Sequence, residues 1–167
     1  QCGVEYSDTV FLDEEELLAQ LQNRTQEEQT STLTISYSYG EHGKPAIADF
    51  PKHFNLSHSG DYVVCAVCDS EVGVDIQKWV PFKERTAERF FAPEEWKLLQ
   101  TLPMGQRTEM FYRLWTRKEA YGEYTGLGIP DAVRENLLGE EECAERQIRF
   151  LEMQPDQEYS IAVCVNR

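Results

Sequence analysis

A single helical signature of about five turns dominates the chain, with β-type segments on both sides of it. Over residues 106–124, Met110, Phe111, Leu114, Lys118 and Tyr121 fall on one stripe, and Gly126 stands just past the end as a stop. A helix that long must lay its stripe on something. The nearest candidates are the strands that precede and follow it. Residues 62–68 and 72–77 read as strands joined by an Asp69-Ser70-Glu71 turn, and 54–56 as a short strand ending in a Ser57-His58-Ser59-Gly60 turn. Beyond the helix, residues 147–153 and 159–165 read as a closing hairpin with Pro155-Asp156 in its connection.

Shorter elements fill the gaps. Residues 82–91 look helical, and Pro93 opens another helix to about residue 102, in a first-turn position where its missing N–H costs nothing. The acidic stretch around 140–145 reads as a loop. Near the start, Asp13 to Glu16 open a helix to about residue 29, striped by Leu17, Leu18 and Leu21. Residues 32–37 are a β-branched strand, and 41–45 a turn. Helix and strands, then helices, then strands is an α+β order rather than an alternating α/β one.

The formal net charge of −14 argues against general nucleic-acid binding, which needs a basic face. No apolar run reaches the roughly 20 residues that cross a bilayer, and no basic-then-apolar leader is visible, so a cytoplasmic chain without a membrane span is expected. The first residue is Gln1, which places the natural start upstream or removed. Five cysteines in no framework spacing fit a reducing compartment. Cys65 and Cys68 invite a redox or zinc reading, but residues three apart on a strand face opposite ways. A zinc site from His42, His53 and His58 has no spacing to support it.

Three residues carry candidate chemistry. Asp75 ends an apolar strand, with Val74 and Ile76 on one face and Asp75 and Gln77 on the other. Taken alone it is a strand-end turn cap. Glu119 sits one turn after Trp115, which would exclude water and fix the carboxylate's direction; taken alone it is a solvated helix charge. Two carboxylates from separate elements suffice for magnesium, which takes one or two and fills its octahedron with water and phosphate oxygen. His58, between two serines, offers an imidazole and hydroxyls to a phosphate monoester, or is simply a turn. A serine-hydrolase reading lacks any Gly-x-Ser-x-Gly elbow.

These pieces occur in a telling order. Gly43-Lys44-Pro45, Phe54-Asn55-Leu56-Ser57-His58-Ser59, Gly73-Val74-Asp75, Trp115-Thr116-Arg117-Lys118-Glu119-Ala120 and Gly126-Leu127-Gly128 follow one another. Arg89 to Glu95 lie between the acidic positions. The series, over about residues 36–130, resembles the 4′-phosphopantetheinyl transferases of the type that activates surfactin synthetase.

The resemblance implies a monomer of two similar α+β halves packed as a pseudo-dimer, here 1–70 (reduced or truncated) and 71–167 with the metal-site motifs. It implies transfer of the phosphopantetheine arm of coenzyme A to a serine of an acyl- or peptidyl-carrier protein, releasing adenosine 3′,5′-bisphosphate. By it, Asp75, Gln77 and Glu119 hold Mg2+, and Glu119 and Lys118 are catalytic. Ser57 and His58 take the 3′-phosphate side of coenzyme A, and Lys44 lies near the nucleotide. Phosphoryl transfer rewards positioning and charge stabilisation over a covalent nucleophile, which agrees.

Three departures stand out. Glu123 occupies the place of the family's phosphate-facing lysine, four residues after Glu119. Gln77 stands where many members have an acid. The first 30 residues hold only Arg24 as a cation. A relative that binds coenzyme A or a carrier without transfer, and an acidic interaction domain outside the family, are the competing readings.

Overall fold

The computed structural model describes residues 37–39, 45–47, 52–127, 132 and 134–167, the first two segments by backbone alone. Lys44, His42, the turn at 41–45 except for Pro45, and the 13–29 helix lie outside the described residues, as does the 32–37 strand except for Tyr37. The elements are β1 (Tyr37–Tyr39), β2 (Pro45–Ile47), β3 (His53–Ser59), β4 (Tyr62–Cys68), β5 (Val72–Lys78), α1 (Glu84–Phe90), α2 (Pro93–Thr101), α3 (Met104–Thr125), α4 (Glu140–Glu145), β6 (Ile148–Met153) and β7 (Tyr159–Asn166). This is a mixed α+β architecture. The strands form antiparallel pairs β1–β2 and β3–β4 and a three-stranded antiparallel sheet ordered β5-β7-β6.

Strand alternation decides what each face of that sheet meets. Val74 and Ile76, opposite Val163 and Ile161, form one face, and β4 adds Tyr62, Val64 and Ala66 to it. Asp75 and Gly73, opposite Ala162 and Cys164, form the other. Ala120, Tyr121 and Tyr124 of α3 pack there with Ala162 and Cys164. The N-terminal half of α3 buries Phe111, Tyr112 and Leu114 against α1 and α2. Phe111 stacks between Phe82 (4.4 Å) and Trp115 (5.8 Å). Gly126, at φ 69°, terminates α3 in the left-handed conformation that favours glycine.

Gly73 sets how close α3 comes. A Cβ there would lie 2.0 Å from the Ala120 carbonyl oxygen and 2.5 Å from the Tyr124 nitrogen. Strand and helix therefore touch backbone to backbone beside Asp75 and Glu119.

Since β7 takes one edge of β5, the other edge would leave its N–H groups orphaned. Side chains of β3 take them. Val74 N–H donates to Asn55 Oδ1 (2.7 Å), Ile76 N–H to Ser57 Oγ (3.2 Å) and Lys78 N–H to Ser59 Oγ (2.9 Å). The alternate placement of Asn55, Ser57 and Ser59 on one face of β3 makes this possible.

Two expectations need correction. Residues 57–59 are strand, not turn, because the reversal is confined to Gly60, at φ 58°, and Asp61, between the paired Ser59 and Tyr62. Residues 140–145 form the short helix α4, anchored by buried Cys143. Cys65 and Cys68 both belong to β4 and are free thiols. His53 pairs with Glu71 (2.9 Å), while His58 lies on the exposed outer face of the β3–β4 hairpin. Among the described residues no cluster of three His, Cys, Asp or Glu could hold a metal.

Candidate active site

The site is a seam between β5 and α3. Asp75, 4% exposed, lies on the strand face that meets the helix. Ser57 Oγ donates to its Oδ1 (2.9 Å), and Gln77 Nε2 reaches both oxygens (3.3 Å each). Burial pushes the Asp75 carboxyl up to about 8. Repulsion from Glu119 adds to the rise, and the hydrogen bonds from Ser57, Gln77 and the Ile76 backbone oppose it. Glu119 is half-buried and likewise raised, chiefly by burial and further by Glu123, against a lowering hydrogen bond from Trp115.

Glu119 lies close enough for its charge to act on Asp75. Among the described residues, the one charged group that shifts Asp75 is another acid, Glu119. A buried Asp75 raised by desolvation and by Glu119, beside a Glu119 raised by desolvation and by Glu123, fits a divalent cation, which would relieve desolvation and repulsion together. Its donors would be Asp75 and Glu119. Gln77 turns its NH2 end to Asp75, the end that repels a cation.

Other predicted site residues fall differently. Ser57 spends its hydroxyl between Asp75 and the Ile76 N–H, so it steadies the carboxylate from inside the hairpin. His58, its neighbour, faces the opposite side of β3, and the two do not form one nest. Lys118 does not join the carboxylate pair. Its Nζ sits 2.7 Å from Glu95 Oε2 and donates to the Glu135 carbonyl (2.6 Å). Burial holds the Lys118 ammonium below its ordinary range, against the pull of Glu95. Arg117 is spent on Glu152 and on the Leu137 and Leu138 carbonyls. Neither basic residue replaces the cation missing at position 123.

Glu123 has work of its own. Asn55 Nδ2 donates to its Oε2 (2.9 Å) while Asn55 Oδ1 holds Val74 N–H. Asn55 thus ties β3, β5 and α3 at one point. Sequence reading gave Asn55 and Glu95 no such role. The signal for Asn55 was the Asn-x-Ser-x-Ser alternation; for Glu95 it was the first-turn acid three residues after Ala92, whose N–H it caps.

The sequence profile of the 4′-phosphopantetheinyl transferase superfamily matches residues 71–164. The chain belongs to that superfamily. It is 37% identical over 145 residues to a 4′-phosphopantetheinyl transferase of Bacillus subtilis, covering 78% of this chain and 62% of the relative. It is 38% identical over 143 residues to the 4′-phosphopantetheinyl transferase HetI of a Nostoc species (78% of this chain, 60% of the relative). It is 47% identical over 88 residues to the 4′-phosphopantetheinyl transferase psf-1 of Bacillus pumilus (52% and 38%). The matches span less than two thirds of these relatives' lengths. The superfamily match takes in Asp75, Gln77, Lys118 and Glu119, and the α+β expectation agrees with the observed strands and helices. No helix among the described residues is long and apolar enough to cross a membrane.

Proposed function

We propose that this superfamily member transfers the 4′-phosphopantetheine arm of coenzyme A to a serine of an acyl- or peptidyl-carrier protein, releasing adenosine 3′,5′-bisphosphate. The supporting observation is the convergence of Asp75 and Glu119, from strand and helix, in one largely dry seam. In this reading both carboxylates hold Mg2+, which supplies charge neutralisation on the diphosphate. Ser57 and Gln77 orient Asp75 by hydrogen bonds. Glu119, raised by burial, receives the proton of the carrier serine. His58, on the exposed hairpin face, takes the 3′-phosphate side of coenzyme A, with Lys44 near the nucleotide. The same reading treats 71–167 as the half bearing the carboxylates and 1–70 as the half supplying the hairpin, in a cytoplasmic monomer.

The test is mass spectrometry of an apo carrier protein incubated with the chain, coenzyme A and magnesium. Transfer adds about 340 Da, the mass set by the arm's chemistry. Glu119→Ala removes the gain; labelling at the wild-type rate in that variant ends the metal-ligand assignment. A second reading, coenzyme A binding without transfer, is favoured by Glu123 in place of the expected lysine. Calorimetric coenzyme A binding with no mass gain on any carrier would select it.

A further inference from the structure

We propose that Lys118 is a positioning residue: its buried pair with Glu95 fixes the rotation of α3 that turns Glu119 toward Asp75. The inference rests on the proposed metal site and assigns the lysine that precedes Glu119 in sequence a part other than contact with substrate.

The geometry leaves Lys118 no route to a ligand. Its side chain and that of Glu95 are both 0% exposed, and their charged atoms are 2.7 Å apart. An ammonium has three protons. Glu95 and the Glu135 carbonyl take two, and the Phe91 ring lies 5.4 Å away on another side. Glu95 is equally committed, since its two oxygens accept Ala92 N–H (2.9 Å) and Leu137 N–H (2.9 Å). If Lys118 reached for a phosphate, it would strand a buried carboxylate.

The pair joins three pieces of the fold. Glu95 opens α2, Lys118 lies in the second half of α3, and residues 135–137 supply the remaining groups. Arg117 grips the same segment through the Leu137 and Leu138 carbonyls. Two consecutive helix residues thus hold the side away from β5. The next residue, about 100° further round the helix, is Glu119. Rotation of α3 about its axis would swing the Glu119 carboxyl out of the seam, and the Lys118 anchor opposes that rotation.

The experiment compares wild type, Lys118→Met and the double variant Lys118→Met/Glu95→Gln. Magnesium affinity is read by calorimetry, stability by thermal unfolding, and kcat and KM for coenzyme A by transfer. Lys118→Met alone leaves a buried unpaired carboxylate; it is expected to lower the melting temperature and weaken magnesium binding about tenfold or more. The double variant removes both charges and is expected to regain melting temperature but, lacking the pair, to stay weak for magnesium and low in kcat. A lysine that touched substrate would leave the double variant stable and magnesium-competent but with kcat still depressed, which overturns the proposal. Wild-type magnesium affinity in Lys118→Met overturns it too, as does a double variant that binds magnesium as the wild type does. A wild-type chain that binds no magnesium refutes instead the metal site on which the inference rests.

Discussion

The Asp75 carboxyl makes the metal-free protein's stability fall as pH rises, and Asp75→Asn should abolish that component. The folded group titrates near 8 against an ordinary 3.8. Between those values the folded chain holds a proton that the unfolded chain has released. Raising pH therefore favours unfolding, by about 1.4 kcal/mol per pH unit at full difference. The contribution is intact below pH 3.8 and is lost as pH climbs toward 8. Asparagine mimics the protonated carboxyl in shape and can still accept from Ser57, but it carries no titrating proton. Urea unfolding in excess chelator at pH 5, 6 and 7 is the assay. Asp75→Asn should gain on wild type by about 1.4 kcal/mol per unit, close to 3 kcal/mol over the range. A proton should also leave when magnesium binds wild type near pH 7, visible as a buffer-dependent heat of binding that Asp75→Asn lacks. Parallel stability profiles for the two proteins would refute the claim that this carboxyl is buried beside Glu119.

Other substitutions probe the same seam. Gly73→Ala should cost about 3 kcal/mol or more by denaturation, because its Cβ meets backbone atoms of α3 at 2.0 and 2.5 Å; a loss under about 1 kcal/mol would contradict the close approach. Asn55→Leu leaves Val74 N–H without its acceptor and should destabilise by roughly 1–3 kcal/mol. Unchanged amide hydrogen exchange at Val74 would count against it. Glu123→Lys should raise transfer and lower stability at once, since it removes a charge that raises Glu119 and also breaks the bond from Asn55. A fall in transfer would give Glu123 a functional part of its own.

Much of this was legible because it rests on local periodicity. The stripe on α3, the strand alternation of β5 and the Pro93 helix start are consequences of sequence spacing alone. That Asp75 and Glu119 share a seam was carried by the order of motifs, not by spacing, since 44 residues separate them. What stayed hidden depends on which side chain meets which across elements. The 57–59 stretch read as a turn because Ser, His and Gly favour turns. In the fold those serines replace a missing neighbour strand and need extended backbone to do so. Lys118 read as catalytic through the family resemblance, which carried it beside Glu119 in the Trp115–Ala120 motif. Its apolar stripe-mates Phe111 and Leu114 pointed the other way, toward a buried position whose partner, Glu95, no pattern on the helix itself reveals.

Glu123 bears on how the seam is balanced, since it raises Glu119 and ties the hairpin to α3 through Asn55. Along α3 and β5 run Asp75, Glu119 and Glu123, and among the described residues the groups that shift Asp75 and Glu119 are acidic or neutral. A lysine at 123 would offset part of that repulsion permanently. With glutamate there, the offset has to come from a bound cation, while Glu123 itself fastens the hairpin through Asn55. Glu123 thus adds a hydrogen-bonded tie and a negative charge to the seam, and a bound cation would have that charge to offset as well. Magnesium should therefore stabilise wild type against unfolding more than it stabilises Glu123→Lys, compared at equal free magnesium. Equal gains in the two proteins would mean that position 123 lies outside the electrostatic reach of the pair.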